Sequence, residues 1–400
     1  MTNTTNKRKI IFSLIHTIVL MTVVYLIWNE PGDFNDGGSF LQKVHVLKKA
    51  IGATDTIPSD LMLINTCYDH VMVPAVEERV ELGEIDITDR EKLLTLFQTL
   101  NRYQNYRYIV CDIIFDEKYK TSADSALFGL LGQMKRCVVP KPTYKEVLPD
   151  ELEGISAVSA YEKTIVNNNF LKYQYLTPDG ASIALKMAQD MDDINIKKWG
   201  PFYTLDGHLC INSHIPDIST NVTSIYRQTG KHSAYLNVYQ LGKDILVDID
   251  DDDEGFYADK IIMIGDFFEK DTHETVAGKI PGIIIIYNAY KDLAEKRNVP
   301  AFLMWLSMFI VFFAVTLLIT RGKSLHDLIW NRCKRINKSP LLSLVVDWLG
   351  FELLFIILGV ATYLFYGLYV DAWIGASYFI VFEKTYPVAR LVLKKYIHIK

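Results

Sequence analysis

Long apolar stretches bracket a segment whose apolar residues come in much shorter runs. Residues 10–28 (IIFSLIHTIVLMTVVYLIW) hold no Asp, Glu, Lys or Arg and follow Lys7-Arg8-Lys9. A helix rising ~1.5 Å per residue needs about 20 such residues to cross a bilayer, so this run predicts a membrane helix. Residues 301–320 repeat the pattern directly after Pro300, a residue type suited to the first turn of a helix. A third run covers 341–368, and a weaker fourth covers 371–393, where Glu383, Lys384 and Pro387 interrupt it. No small-x-small cleavage site follows Trp28, so the first run reads as an uncleaved anchor.

Basic residues give these segments a direction. Residues 1–9 hold three cations; the loop 321–340 holds Arg321, Lys323, Arg332, Lys334, Arg335 and Lys338; the tail adds Arg390, Lys394, Lys395 and Lys400. Four crossings place all three stretches on the cytoplasmic side, as the positive-inside rule requires. The expectation is a multi-pass protein of the cell (inner) membrane. Residues 29–300 would then be extracytoplasmic, and periplasmic in a Gram-negative cell. The last two crossings carry Asp347, Glu352, Lys384 and Arg390. If they fold back near residue 370, Glu352 meets Lys384 and Asp347 meets Arg390 at similar depth, and one such pair would neutralise charge that is costly alone in lipid. Snorkelling of all four to the interface is the alternative.

Between the anchors the periodicity switches to that of a soluble domain. Residues 31–39 read as a flexible exit, followed by a short helix at 40–51. Strands are expected at 61–67 (LMLINTC), 106–115 (YRYIVCDIIF) and 136–140, each short, apolar and bounded by turn residues. Thr88 and Glu91 form a capping box that opens a helix through Tyr103, with Leu93, Leu94, Phe97 and Leu100 on one face. A second helix is expected at 122–134. This β-α-β-α-β order predicts parallel pairing with both faces covered. Further on, 157–176 reads as strand, 182–191 as helix and 209–213 as strand. Strands at 244–249, 260–265 and 282–286 (GIIII) precede a helix at 287–296. The fold class is therefore α/β: one extracytoplasmic domain with a mainly parallel, helix-covered sheet, plus four transmembrane helices.

Composition narrows the function classes. Half the residues are hydrophobic, which excludes a disordered chain, and the net charge of -5 without an external basic patch argues against nucleic acid. The five cysteines (67, 111, 137, 210 and 333) form no CxxC and read as buried thiols, with one disulfide among the four external ones as the alternative. No HExxH, GxSxG, Walker A or GxGxxG motif occurs, so neither a zinc hydrolase nor a nucleotide enzyme has support. Asp250, Asp252, Glu254 and Gly255 mimic the start of a calcium loop, but its twelfth position is Ile261 instead of the bidentate Glu; a solvated acidic turn is the plainer reading. Asn221 heads a glycosylation sequon, to which no role is assigned. The aromatic stretch 161–175 reads as sheet packing. No cofactor or metal is expected.

The segment from Lys260 to Arg297, KIIMIGDFFEKDTHETVAGKIPGIIIIYNAYKDLAEKR, resembles the C-terminal signature of the second class of CHASE domains, extracellular sensory modules associated with cyclases and histidine kinases. The matching positions are Lys260, Ile264-Gly265, Asp271, His273, Gly278, Pro281-Gly282 and Asn288-Ala289. Weaker matches are Asp112, Phe115, Asp124, Leu127 and Asp206-Gly207. The membrane plan of one crossing, a sensor and three further crossings agrees, so the resemblance covers about residues 10–390. Two positions depart from the pattern. Asn65-Thr66-Cys67-Tyr68-Asp69 stands where the family often has an aspartate pair, and Tyr287 where members often carry His. Members typically continue into an output module, whereas this chain stops 15 residues beyond Thr385.

Asp266, Asp271 and His273 follow one strand and Asp112 ends another. Ligands bind at the carboxyl ends of strands in open parallel sheets, so these four residues are the candidate ligand contacts; caps and loop hydrogen bonds are the alternative. The expected function is a non-enzymatic, receptor-like membrane protein. Its external domain would sense an unknown extracytoplasmic ligand or envelope partner, and signal through residues 287–320 to a separate cytoplasmic or membrane output protein on the loop 321–340. A structural subunit of an envelope complex is the alternative, followed by a tethered, metal-dependent enzyme using the same four residues.

Overall fold

The computed structural model describes residues 2–30, 42–46, 57–77, 80–142, 147–159, 161–163, 170–220, 238–248, 255–267, 271–323, 340–368 and 372–397. The exit at 31–39, the sequon at Asn221, the acidic run 249–254, Cys333 and most of the basic loop 321–340 lie outside the described residues. The chain divides into two compact units, Pro31–Asn298 and the combination of Met1–Glu30 with Val299–Lys400.

The first unit is built on a six-stranded parallel sheet in the order Val238–Gln240, Leu61–Asn65, Ile261–Gly265, Tyr108–Cys111, Cys137–Lys141, Ser156–Val158. Leu61–Asn65, Tyr108–Cys111 and Ile261–Gly265 are buried over their whole length, as strands covered on both faces must be. On one face Met62, Ile64, Ile109, Cys111, Ile262 and Ile264 pack with Leu93, Leu96, Phe97 and Leu100 of the helix Arg90–Tyr103 and with Leu127 and Leu131 of the helix Asp124–Gln133. On the other lie Ile183–Asp192 and Gly282–Ala294; Tyr108 donates its hydroxyl to Asp190 at 2.7 Å. Cys67, Cys111, Cys137 and Cys210 are free thiols, and all but Cys67 are buried.

Three local expectations need correction. The run GIIII is the first turn of the helix Gly282–Ala294, not a strand. A short, wholly buried apolar run carries no periodicity to separate the two, and the helix is buried on every side. The cap of Arg90–Tyr103 is Asp89, whose Oδ1 accepts the N–H groups of Glu91 and Lys92, while Thr88 closes the preceding strand. Residues 241–248 form a π-helix rather than the expected strand, and the sheet strand lies just before them at Val238–Gln240. An antiparallel hairpin, His70–Glu77 with Val80–Thr88, was not anticipated.

In the other unit, three helices among the described residues are long and apolar enough to cross a membrane: Asn6–Asn29, Phe302–Thr320 and Trp348–Tyr366. A further helix, Ala372–Ile397, contains Pro387 and is less apolar. Phe312, Phe351, Phe355 and Phe379, from three of these helices, stack together within the unit. His16 joins Thr316 at 3.1 Å through Nδ1 and the hydroxyl of Tyr378 at 2.7 Å through Nε2.

Candidate functional site

The parallel sheet brings Asn65, Gln240, Gly265 and Cys111 to one edge, and the loops beyond them carry the candidate residues. Asp112 follows Cys111 and donates its N–H to the carbonyl of Ile264 at 2.8 Å. A Cβ placed on Gly265 would stand 3.6 Å from the Cβ atoms of both Asp112 and Ile283, so Asp112 sits where the helix Gly282–Ala294 begins.

Asn65 organises this edge. Its Nδ2 donates to Gln240 Oε1 at 3.0 Å and to Cys67 Sγ at 3.1 Å, and its Oδ1 accepts the N–H groups of Cys67 and Phe267. A carboxylate could supply the acceptor but neither donor, which gives the Asn at this position a physical reason. Beside it the Cys67 thiol is pushed up to about 11, mainly by burial; the negative charges of Asp266 and Asp69 act in the same direction, against the Asn65 hydrogen bond. Asp266 thus lies within electrostatic reach of Cys67, and Asp69 is tied to Lys92 at 2.7 Å.

Asp271 and His273 pair with each other, Oδ1 to Nε2 at 3.1 Å. His273 stands opposite Ile280 in the small hairpin Thr272–Thr275/Gly278–Pro281. The Asp271 carbonyl accepts the N–H of Gly282, and its carboxylate lies so close to Gly282 that a Cβ there would collide with it. Glycine is required at this point: Pro281 is the extended N-cap residue, and Gly282 lets the carboxylate approach the helix N-terminus, where negative charge is favoured. The structure therefore pairs Asp271 with His273 over the helix start, and places Asp112 beside the same start and Asp266 beside Cys67. Among the described residues no three His, Cys, Asp or Glu side chains are grouped to hold a metal.

A second polar cluster, which sequence reading missed, lies further along the same helix. Asn288 is fully buried; its Nδ2 donates to the carbonyls of Thr220 and Ile284 at 2.8 and 2.7 Å, and its Oδ1 accepts the N–H groups of Ser219 and Thr220. One turn on, Asp292 Oδ2 accepts the N–H of Asp217 at 2.7 Å and lies 3.2 Å from His214 Nε2. Arg297 closes the cluster by bonding Asp217 and Glu295. Burial raises the Asp292 carboxyl above the usual range, opposed by the His214 contact and the Asp217 N–H. The Asn288-Ala289 pair was legible as a motif, but its role in holding the segment 217–220 was not. Tyr175 contributes too, stacking on His214 and donating its hydroxyl to the Ala289 carbonyl at 3.3 Å. The aromatic stretch is thus core packing at Tyr173 and Tyr175; the side chains of 160–171 lie outside the description.

A groove of about 340 Å³ lies between the hairpin and the helix Arg90–Tyr103, lined by Val71, Val73, Arg90 and Lys120 among others. Its buried Arg90 is ion-paired with Asp124 at 2.6 Å and stacked against Phe115 and Phe128, so that charge serves the fold.

No curated protein and no solved structure matches the chain. The family model of the CHASE2 domain matches residues 69–320, a span running from the loop after the first sheet strand, through the Asp271–His273 pair and the Asn288–Asp292 cluster, to the end of the helix Phe302–Thr320. That match covers most of the chain, and the protein belongs to the CHASE2 domain family of extracellular sensory domains, here in a chain with helices able to cross a membrane.

Proposed function

We propose that the protein is a membrane receptor without catalytic output. Its domain at 29–300 faces the extracytoplasmic side, senses a ligand or envelope partner, and signals to a separate protein through the membrane helices. The observation that carries this reading is the path of the helix Gly282–Ala294. It starts between Asp112 and the Asp271–His273 pair, is clasped to residues 217–220 by Asn288 and Asp292, and ends a few residues before the membrane helix Phe302–Thr320. Asp112, Asp266, Asp271 and His273 are the ligand contacts in this reading. A ligand shifts such a device only if it binds one arrangement of these loops better than another.

The orientation rests on the basic stretches at 1–9, 321–340 and 394–400. Residues 371–393 form the fourth crossing in this reading, with at least one of Glu352–Lys384 and Asp347–Arg390 as a charge pair; the bond from His16 to Tyr378 supports packing of that helix against the first crossing. The output partner binds the cytoplasmic loop 321–340. Quantitative pull-down from membranes, with wild type and a chain lacking that loop, tests the relay. The reading expects a protein retained by wild type and lost with the loop, at unchanged thermal unfolding of the external unit. Identical sets of bound proteins would remove the relay from the proposal.

A further inference from the structure

The three-stranded meander at residues 196–209 has no part in the site above, yet its geometry points it at a surface. Ile196–Trp199 pairs antiparallel with Phe202–Leu205, Trp199 opposite Phe202, and Phe202–Leu205 pairs with His208–Leu209, Leu205 opposite His208. The N–H of Cys210 donates to the Tyr203 carbonyl at 3.0 Å, which brings Ile211 level with Phe202 at the Gly200–Pro201 end. Beside it the Ile211 N–H donates to the Asn298 carbonyl at 2.8 Å, and Asn298 Nδ2 donates to the Ile211 carbonyl at 3.2 Å. At the opposite end Lys296 Nζ donates to Asp206 at 2.8 Å. From Lys296 to Asn298 the chain therefore runs from the Asp206–Gly207 turn towards the Gly200–Pro201 turn. The apolar helix begins at Phe302, and four residues of extended chain reach no further than about 14 Å. The meander tip thus lies at the end of the domain where the chain leaves it, after Asn298.

The chemistry of the tip suits a bilayer surface. Trp199 is 78% exposed, and its ring lies 6.4 Å from that of Phe202. Lys197, Lys198, Gly200 and Pro201 are exposed with it, and residues 194–205 (INIKKWGPFYTL) contain no Asp or Glu. Gly200 takes φ +58° with open space around it, so the turn itself requires glycine and keeps the tip narrow. An exposed Trp flanked by Lys is the side-chain set of a membrane interface, where the indole sits at headgroup depth and lysines meet anionic headgroups.

We propose that the Trp199–Pro201 tip docks onto the bilayer surface beside the exit chain, with Trp199 among the headgroups and Lys197 and Lys198 against anionic lipid. The test uses the full chain reconstituted into vesicles of phosphatidylcholine, with or without phosphatidylglycerol, whose acyl chains carry bromine close to the headgroups. Trp199→Phe isolates the Trp199 emission by difference from the other five tryptophans. That emission should be lost to bromolipid and insensitive to aqueous iodide. Quenching by iodide without quenching by bromolipid overturns the proposal, and so does shielding from both, which would mark a protein contact. Lys197→Gln with Lys198→Gln should weaken bromolipid quenching in vesicles with phosphatidylglycerol and leave it unchanged in phosphatidylcholine alone. Equal quenching in every case removes the lysines from the docking surface.

Discussion

Asp292 and His214 face each other at 3.2 Å in the unit Pro31–Asn298, with side chains 0% and 1% exposed. A carboxyl so enclosed depends on its partners, because an isolated charge there would lack the solvation it leaves behind in water.

Burial is the largest influence on Asp292 and raises its native pKa above the ordinary value. The native state therefore holds this proton more tightly than the unfolded chain. The resulting stability is fully present below the unfolded value near ~4 and is lost as pH rises through the raised native value. Asp292→Asn removes the titration and keeps an acceptor for the Asp217 N–H. Relative to wild type, the variant should gain stability as pH rises through that window, measured by urea unfolding at stepped pH. A variant that falls further behind with rising pH would show that His214 and Arg297 outweigh burial.

Asn288→Ala should destabilise the unit Pro31–Asn298 by about 2–4 kcal/mol, since truncation leaves the buried N–H and C=O groups of Thr220 without the Asn288 partners they have. Asn288→Asp keeps the two acceptor bonds and loses the donors to Thr220 and Ile284, so it tests whether the donors matter separately. Equilibrium unfolding of both variants in detergent is the measurement; a change below about 0.5 kcal/mol for Ala would be that of an ordinary surface substitution and would rule out the clasp.

The Cys67 thiol, held up to about 11, should alkylate slowly at neutral pH and accelerate as pH rises past the usual thiol range. Asp266→Asn removes a negative charge near it and should speed alkylation at fixed pH, by mass spectrometry of the labelled peptide. An unchanged rate would place Asp266 away from Cys67.

Gly282→Ala and Asp271→Ala should be strongly non-additive. The added methyl meets the Asp271 carboxylate, so most of its cost, about 1–3 kcal/mol for an overpacked site, should vanish once that carboxylate is gone. Additive effects in a double-mutant cycle would contradict the close approach.

How much of this could be read from the sequence depended on the kind of signal involved. The runs LMLIN, YIVC and IIMIG were legible as strands because each is short, wholly apolar and closed by a turn or polar residue. GIIII carries the same local signal and became a helix, since only its tertiary surroundings decide between the two. Ser182 was found as a helix start and caps Ile183–Asp192 through Leu185, whereas Thr88 lost the role to Asp89 one residue away. Asp271 and His273, two residues apart, proved to be a pair. The His214–Asp292 contact joins residues 78 positions apart in the chain, and no local pattern announces such a meeting.

The clasp on the exit helix has a consequence for leverage. Asn288 and Asp292 stand on one stripe of the helix, and the groups they grip at residues 217, 219 and 220 belong to a single stretch of backbone. Turning the helix about its own axis would swing both grips away together, so this motion is locked until every bond yields. A slide along the axis can carry the gripped backbone as cargo. The helix and the segment 217–220 are therefore tied at two successive turns, so a displacement of either that keeps these bonds is passed to the other.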